Sequence, residues 1–321
     1  MVNVLIIGAT GYIGSALSSS LLRSGSHRVF GLARSPEKAR SLEKDEVIPI
    51  LGSLTDTKNL VGALTSQHIN VVVDLSGDPK ESESLLNVLK NISAEKSKHA
   101  TAVGIRVPKL GYIYCSGTWV HGSSHKYVND LYPVGTPDAP TPPADLTAWR
   151  AKLEQVVLGS SDLLDVMVVR PALVYGRSCA IWSSLFDTLS NAAQKGEKSV
   201  NLSIESDSRP GLIHVDDVAS GFHAAIDKLP LISGTGVYPL FDLVTSQESM
   251  REILEAAAKE FGFEGKVKLV GAGEDLFAKA MSTSGNLCAG RAKQILGWEP
   301  KRYGFVGNMD LFVRAWLAAK Q

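Results

Sequence analysis

The chain carries no excess charge of either sign: thirty-three basic and thirty-three acidic residues leave a formal net charge of zero. No long run concentrates one sign, so neither a nucleic acid nor an anionic membrane surface is the expected partner. Cysteine is scarce. Cys115, Cys179 and Cys288 are odd in number and far apart, matching neither a disulfide framework nor a zinc spacing, and no metal site is expected. No apolar stretch approaches the roughly 20 residues that span a bilayer. The sequence opens straight into a strand pattern, leaving no room for a signal segment. Reduced thiols and no leader together predict a cytoplasmic protein. Internal repeats and low-complexity tracts are lacking as well.

What is present is apolar. With 321 residues and 44% hydrophobic content, the chain can bury a large core. Its first half alternates short Val/Ile/Leu-rich strands, expected at 3–7, 28–33, 47–50, 71–75, 110–115 and 165–170, with helices at 12–24, 36–43, 57–66, 80–100 and 145–160. Strands without polar alternation are covered on both faces, which predicts an α/β fold with a doubly wound parallel sheet, a Rossmann fold. The rhythm breaks at 133–143, where five prolines forbid helix and central strand; this stiff loop either covers a cleft or merely connects. After Arg170 the alternation becomes irregular. The expected division is a dinucleotide-binding domain over 1–178, with 201–237 returning to it, and a smaller, mainly helical C-terminal lid from 179–200 and 238–321.

The most informative segment is Gly8-Ala9-Thr10-Gly11-Tyr12-Ile13-Gly14, directly after Val4-Leu5-Ile6-Ile7. A buried strand, a glycine turn and a helix start aim backbone N–H groups at one spot, which suits a dinucleotide diphosphate. Gly8, Thr10, Gly11, Tyr12, Ile13 and Gly14 are therefore candidate coenzyme contacts. The second strand ends in Ala33-Arg34. A carboxylate there would favour NAD, whereas Arg34 puts a cation where a 2′-phosphate lies, so NADP is the expected coenzyme and NAD the alternative. Ser53 and Leu54 follow the third strand beside the adenine, and Leu75 follows the fourth.

These pieces resemble the extended short-chain dehydrogenase/reductase superfamily, the NAD-dependent epimerase/dehydratase group. Further matching segments are Ser116-Gly-Thr-Trp-Val-His-Gly122, Lys152-Leu153-Glu154, Arg170-Pro-Ala-Leu-Val-Tyr-Gly176, His214-Val-Asp-Asp-Val218 and Leu296-Gly-Trp-Glu-Pro300. The resemblance implies a catalytic Ser/Thr, Tyr and Lys, with Tyr-x-x-x-Lys on one helix face. Aligning Lys152 with the family lysine leaves Ala148 at the tyrosine position and Gly117 at the Ser/Thr position, flanked by Ser116 and Thr118. The chain is thus a divergent member lacking the catalytic tyrosine. Lys152, Thr118 and His121, the last as a replacement acid or else a packed histidine, are the catalytic candidates. Pro171 and Val174 are expected by the nicotinamide. Tyr175 and Arg209 are candidates for substrate, although Tyr175 would equally pack beneath its turn and Arg209 would equally be a loop cation.

Three functions stay open at this point. One is an oxidoreductase acting on a small carbonyl or hydroxyl metabolite with a relocated acid. Another is a non-redox cyclase, lyase or isomerase that retains the nucleotide as a structural element. The third is a non-catalytic nucleotide-binding regulator. The implied partner is a small-molecule substrate, and the resemblance suggests a homodimer through the helices at 80–100 and 145–160.

Overall fold

The computed structural model describes residues 1–320. Strand β1 (Val2–Ile7) leads into helix α1 (Tyr12–Ser24), β2 (His27–Ala33) into α2 (Pro36–Lys44), and β3 (Ile48–Leu51) into α3 (Lys58–Ser66). Then β4 (Val71–Asp74) precedes α4 (Pro79–Ala102), and β5 (Leu110–Cys115) precedes a single 3-10 turn at Thr118–His121 and β6 (Ser124–Asn129). Helix α5 (Ala148–Leu158) follows the proline-rich loop and returns to β7 (Leu164–Pro171). Beyond it come β8 (Leu173–Tyr175), α6 (Ser183–Gln194), β9 (Ser199–Leu202), β10 (Gly211–His214), α7 (Val215–Ile232), β11 (Leu240–Leu243) and β12 (Ser246–Gln247). The chain ends with α8 (Met250–Glu260), β13 (Lys266–Leu269), α9 (Leu276–Met281), β14 (Gly285–Cys288) and α10 (Met309–Ala318).

Seven strands form one parallel sheet in the order β11-β7-β5-β4-β1-β2-β3. The uniform apolarity of the strands has a direct cause: alternate residues serve different layers. Val4 and Ile6 of β1 pack with α1, α2 and α7, whereas Leu5 and Ile7 pack with α3, α4 and α5. The strand order reverses between β1 and β4, which opens a crevice at their carboxyl ends.

The seventh strand was not among those expected. Residues 240–243, read as the start of the lid, instead pair with β7 along the sheet edge before the chain leaves again. Helix α7 lies against α1, as the expectation of a returning segment requires, but Leu212 of β10 pairs with β8 and β12 and sits in a second core. That core is built on α6, α8 and α10 around Trp182, Phe186, Phe305 and Trp316. The region around it is less purely helical than expected, carrying three small sheets, β12-β10-β8, β13-β9 and β14-β6. The segment Leu296–Pro300 fastens to α7: the Trp298 indole N–H donates to the Asp217 carbonyl at 3.0 Å, and the Asp217 carboxylate accepts from the Lys301 and Arg302 amides at 2.8 Å each.

His214 marks the junction of β10 and α7. Its Nδ1 accepts the Asp216 amide at 3.0 Å and its ring meets Tyr175 edge-on at 5.4 Å between centroids. Above it Gly176 has φ +96°, and a Cβ there would fall 2.1 Å from the His214 Nε2. Burial pushes the His214 imidazole down to about 4 from its ordinary 6.5. The unfolded chain therefore binds a proton near pH 6.5 that the folded chain refuses until about pH 4. Stability should fall as pH drops through this window. Urea midpoints at neutral pH and at about pH 5 are expected to differ more for the wild type than for His214→Asn.

Candidate active site

The first crossover is built for close approach. Gly8 takes φ +83°, and a Cβ on Gly14 would stand 2.1 Å from the Gly8 carbonyl oxygen, a distance no side chain tolerates. The Gly11 amide donates to the Gly8 carbonyl at 2.9 Å and closes the turn. Helix α1 then begins without a side-chain cap on Gly11 and without an acidic residue in its first turn. Its thirteen residues thus leave the N-terminal amides and the positive end of the helix dipole open for an anion. These residues fit a dinucleotide diphosphate.

From this turn a cavity of about 240 Å³ extends along the carboxyl ends of the strands. Ile13 and Leu75 form one side, Ser116 to Trp119 the floor, Pro171 to Val174 the far wall, and Thr147 and Arg150 the helix side. Ser116 is 94% buried at this floor (6% exposed) and its Oγ has no hydrogen-bond partner. An orphaned buried hydroxyl in a cavity points to a group that belongs beside it. Thr118 is also buried here. At Gly117 an added Cβ would meet nothing closer than 3.7 Å, so the space of a side chain is vacant. The Cys115 thiol is pushed up to about 12 by burial, which makes it a poor nucleophile.

The helix register corrects the expected lysine. Thr147 and Arg150 line the cavity, and Ala151 and Glu154 are buried beneath them. Lys152, two residues past Arg150, turns about 200° away and is exposed. The Arg150 guanidinium donates to the Tyr114 hydroxyl at 3.0 Å and to the Cys115 carbonyl at 2.9 Å, and stacks over Trp149. Applying the Tyr-x-x-x-Lys spacing to Arg150 puts Leu146, not Ala148, at the tyrosine position. No tyrosine and no lysine lines the cavity.

His121 lies outside the cavity too. Its Nε2 is 2.8 Å from Asp242 of β11 and 3.4 Å from the Arg170 guanidinium, which in turn grips Glu154 at 2.9 and 2.5 Å. All four side chains are at most 2% exposed. Burial alone would raise the Asp242 carboxyl, but the His121 ring and Arg170 hold it below the usual range. The loop at 133–143 braces this turn: Thr141 donates to the His121 carbonyl and Val134 packs with Val120 and Ala151. Tyr175 is fully buried, stacked on Phe305 and donating to the Arg302 carbonyl at 3.1 Å, so it packs the lid core. Arg209 is exposed beside a separate shallow pocket with Ser284 and Asn286. Neither faces the cavity.

At the adenine end, the Ser53 hydroxyl accepts the Asp56 amide at 3.0 Å, and Leu54 is buried. Arg34 is paired with Glu81 of α4 at 2.7 and 2.8 Å, a bidentate contact that remains 65% exposed on the arginine side. Two residues missed by sequence reasoning therefore matter, Arg150 and Glu81. Arg150 lies one helical turn before Glu154, whose burial only the structure reveals.

The model of the NAD dependent epimerase/dehydratase family matches residues 4–237. The chain belongs to this family. Among curated proteins it is 24% identical over 192 residues to a decarboxylating sterol-4-alpha-carboxylate 3-dehydrogenase of Dictyostelium discoideum, covering 55% of this chain and 54% of that protein. It is 28% identical over 196 residues to an uncharacterized protein of Saccharomyces cerevisiae, covering 60% and 61% respectively. The match thus spans less than two thirds of either relative. Among solved structures, a putative epimerase from Burkholderia cenocepacia superposes with a TM-score of 0.72 at 18% identity, covering 99% of this chain and 98% of that one. The dTDP-glucose 4,6-dehydratase of Bacillus anthracis in complex with NAD gives 0.68 at 18%, covering 100% and 98%. At these identities the likeness is one of fold.

The register argument carries a contrast. Arg150→Ala should weaken coenzyme binding at least tenfold in calorimetry, whereas Lys152→Ala in the same assay should leave affinity within twofold of wild type. Equal effects from both substitutions would show that α5 sits in another register.

Proposed function

We propose that this family member is an enzyme that binds a pyridine dinucleotide across the crevice and acts on a small carbonyl or hydroxyl metabolite in the cavity beside it. The single observation that carries this reading is the continuity of the uncapped glycine turn with a cavity floored by the unpartnered Ser116 hydroxyl. The coenzyme, when bound, supplies or accepts hydride. Ser116 and Thr118 offer hydroxyls to a substrate oxygen, and Arg150 supplies a fixed cation where the family pattern has lysine. Arginine cannot give up its proton, so it orients and stabilises negative charge and does not shuttle protons. Leucine in place of tyrosine removes the usual phenolic acid, worth ~10²–10⁴ in rate.

That vacancy supports a second reading, a non-redox cyclase, lyase or isomerase that retains the nucleotide. The two separate on one measurement. Turnover of a substrate with stoichiometric change in coenzyme absorbance supports hydride transfer, and turnover without it supports the second reading. Absence of any heat of association with either oxidised or reduced pyridine dinucleotides would overturn both. If the redox reading holds, Leu146→Tyr should raise generic carbonyl reduction, because it returns a phenol one helical turn from Arg150.

For the coenzyme we infer NADP. Ala33 offers no carboxylate to a ribose diol, and the exposed Arg34–Glu81 pair is worth little on its own, so Arg34 is free to exchange Glu81 for a 2′-phosphate. Arg34→Ala is expected to weaken NADPH at least tenfold with little change for NADH, and Glu81→Gln to tighten NADPH. NADH bound more tightly than NADPH by the wild type would reverse the assignment.

A further inference from the structure

At the opposite pole of the sheet, three side chains far apart in sequence meet. His27 opens β2, while His223 and Asp227 lie one turn apart on α7. The His27 Nε2 is 3.0 Å from one Asp227 carboxylate oxygen, and the His223 Nε2 is 3.6 Å from the other. Two ligand nitrogens and a carboxylate oxygen bound to one tetrahedral ion at about 2.0–2.2 Å stand roughly 3.3–3.5 Å apart. The two observed separations run to different carboxylate oxygens, and one ligand atom from each of the three residues lies within 4.8 Å of the others, so side-chain rotation would close the set around an ion. The two imidazoles meet edge to face with centroids 5.0 Å apart.

The Ser24 hydroxyl reaches both the Leu21 carbonyl at 2.7 Å and the His27 Nδ1 at 3.0 Å. With its hydrogen on the carbonyl, its oxygen accepts from the His27 Nδ1–H, and the Nε2 of a neutral ring then presents a lone pair toward Asp227 on a side chain only 1% exposed. That tautomer is the one a cation between ring and carboxylate would select. One helical turn away the His223 Nδ1 lies 3.0 Å from the Ser20 hydroxyl. Contacts on the outer nitrogens orient both rings, as outer hydrogen bonds do for metal-ligating histidines.

We propose that His27, His223 and Asp227 bind a divalent transition ion of the zinc class. Two imidazoles and one carboxylate select such an ion over magnesium or calcium, which prefer all-oxygen shells. Asp227 is 53% exposed, so the fourth position opens to solvent. The ion would tie α7 to β2 and sit beside Ser24 at the C-terminal end of α1, where the helix dipole favours positive charge. The proposal does not depend on which coenzyme or reaction the crevice serves.

The test uses full-length protein freed of metal with a chelator, then titrated with zinc against a chromogenic chelator. One ion per chain is expected at micromolar affinity or tighter, with a raised melting temperature. Cobalt in its place should give the visible absorption of a four-coordinate site. Asp227→Asn keeps the shape of an exposed side chain, and His223→Gln provides an independent variant. Each should weaken zinc at least tenfold and abolish the thermal shift, while the metal-free melting temperature of Asp227→Asn stays near that of the wild type. No saturable binding by the wild type overturns the proposal, and would mean that a proton on His27 faces Asp227. Binding unchanged in both variants, or lost only when the thiols are blocked, overturns it equally.

Discussion

Helix α1 reaches the carboxyl end of the sheet only because Gly14 lies against the backbone of Gly8, where a single methyl group would stand 2.1 Å from the carbonyl oxygen. From that approach follow the direction of α1, the open amides at its start, and the line of the crevice toward Ser116. The packing of α7 follows as well, since α7 lies along α1 and carries β10 and the Trp298 anchor with it. The second core is thus positioned through two helices from one glycine contact. Its stacked aromatics make it a packed unit, not a loose flap.

A second constraint governs the cavity walls. Arg170 on β7 is clamped by Glu154 from α5 and faces Asp242 from β11, all at 1% exposure or less. Removing one partner of such a buried pair costs several kcal/mol, because the other charge is left without solvent. The clamp therefore sets the rotation of α5. With Glu154 turned inward, the residue one turn earlier must face the cavity, and that residue is Arg150. The same clamp recruits His121, whose ring hydrogen-bonds Asp242 and is lost to the cavity. The imidazole thus serves as a buried hydrogen-bond partner.

This explains what was legible in the residues and what was not. Six of the seven sheet strands and the five helices that flank them follow from local pattern, and α1 fills the expected 12–24 span. Glycine spacing likewise exposed the turn, because backbone sterics act within seven residues. The β11 strand escaped notice because four residues between irregular segments carry no periodicity of their own. Lys152 and His121 lie off the cavity for a shared reason. Their placement depends on partners in β7 and β11, far along the chain, and motif spacing does not carry the burial of Glu154. Arg34 was visible as a cation after β2, but Glu81 lies 47 residues on and met it only through the packing of α4. His27 and His223 do not read as a pair in the sequence because 196 residues separate them, and only the packing of α7 on α1 and β2 brings them together.

The two poles of α1 bring these threads together. Its N-terminus, uncapped and free of acidic residues, presents positive potential to an anion. Its C-terminus, capped by Gly25 in the left-handed conformation with Arg23 in the last turn, faces the two histidines held by Ser20 and Ser24. A helix with an anion at its head and a cation at its foot has both ends of its dipole compensated. Such a helix is stabilised at its head without a side-chain cap, while at its foot the Ser24 hydroxyl satisfies the Leu21 carbonyl. The close glycine packing that aligns α1 with β1 would be costly if the helix frayed, since Gly14 contributes no side-chain contacts to hold it. An anion at the head and the ion proposed at the foot would supply that order, so the stiffness of the turn would then depend on charge at each pole as much as on the glycines between strand and helix.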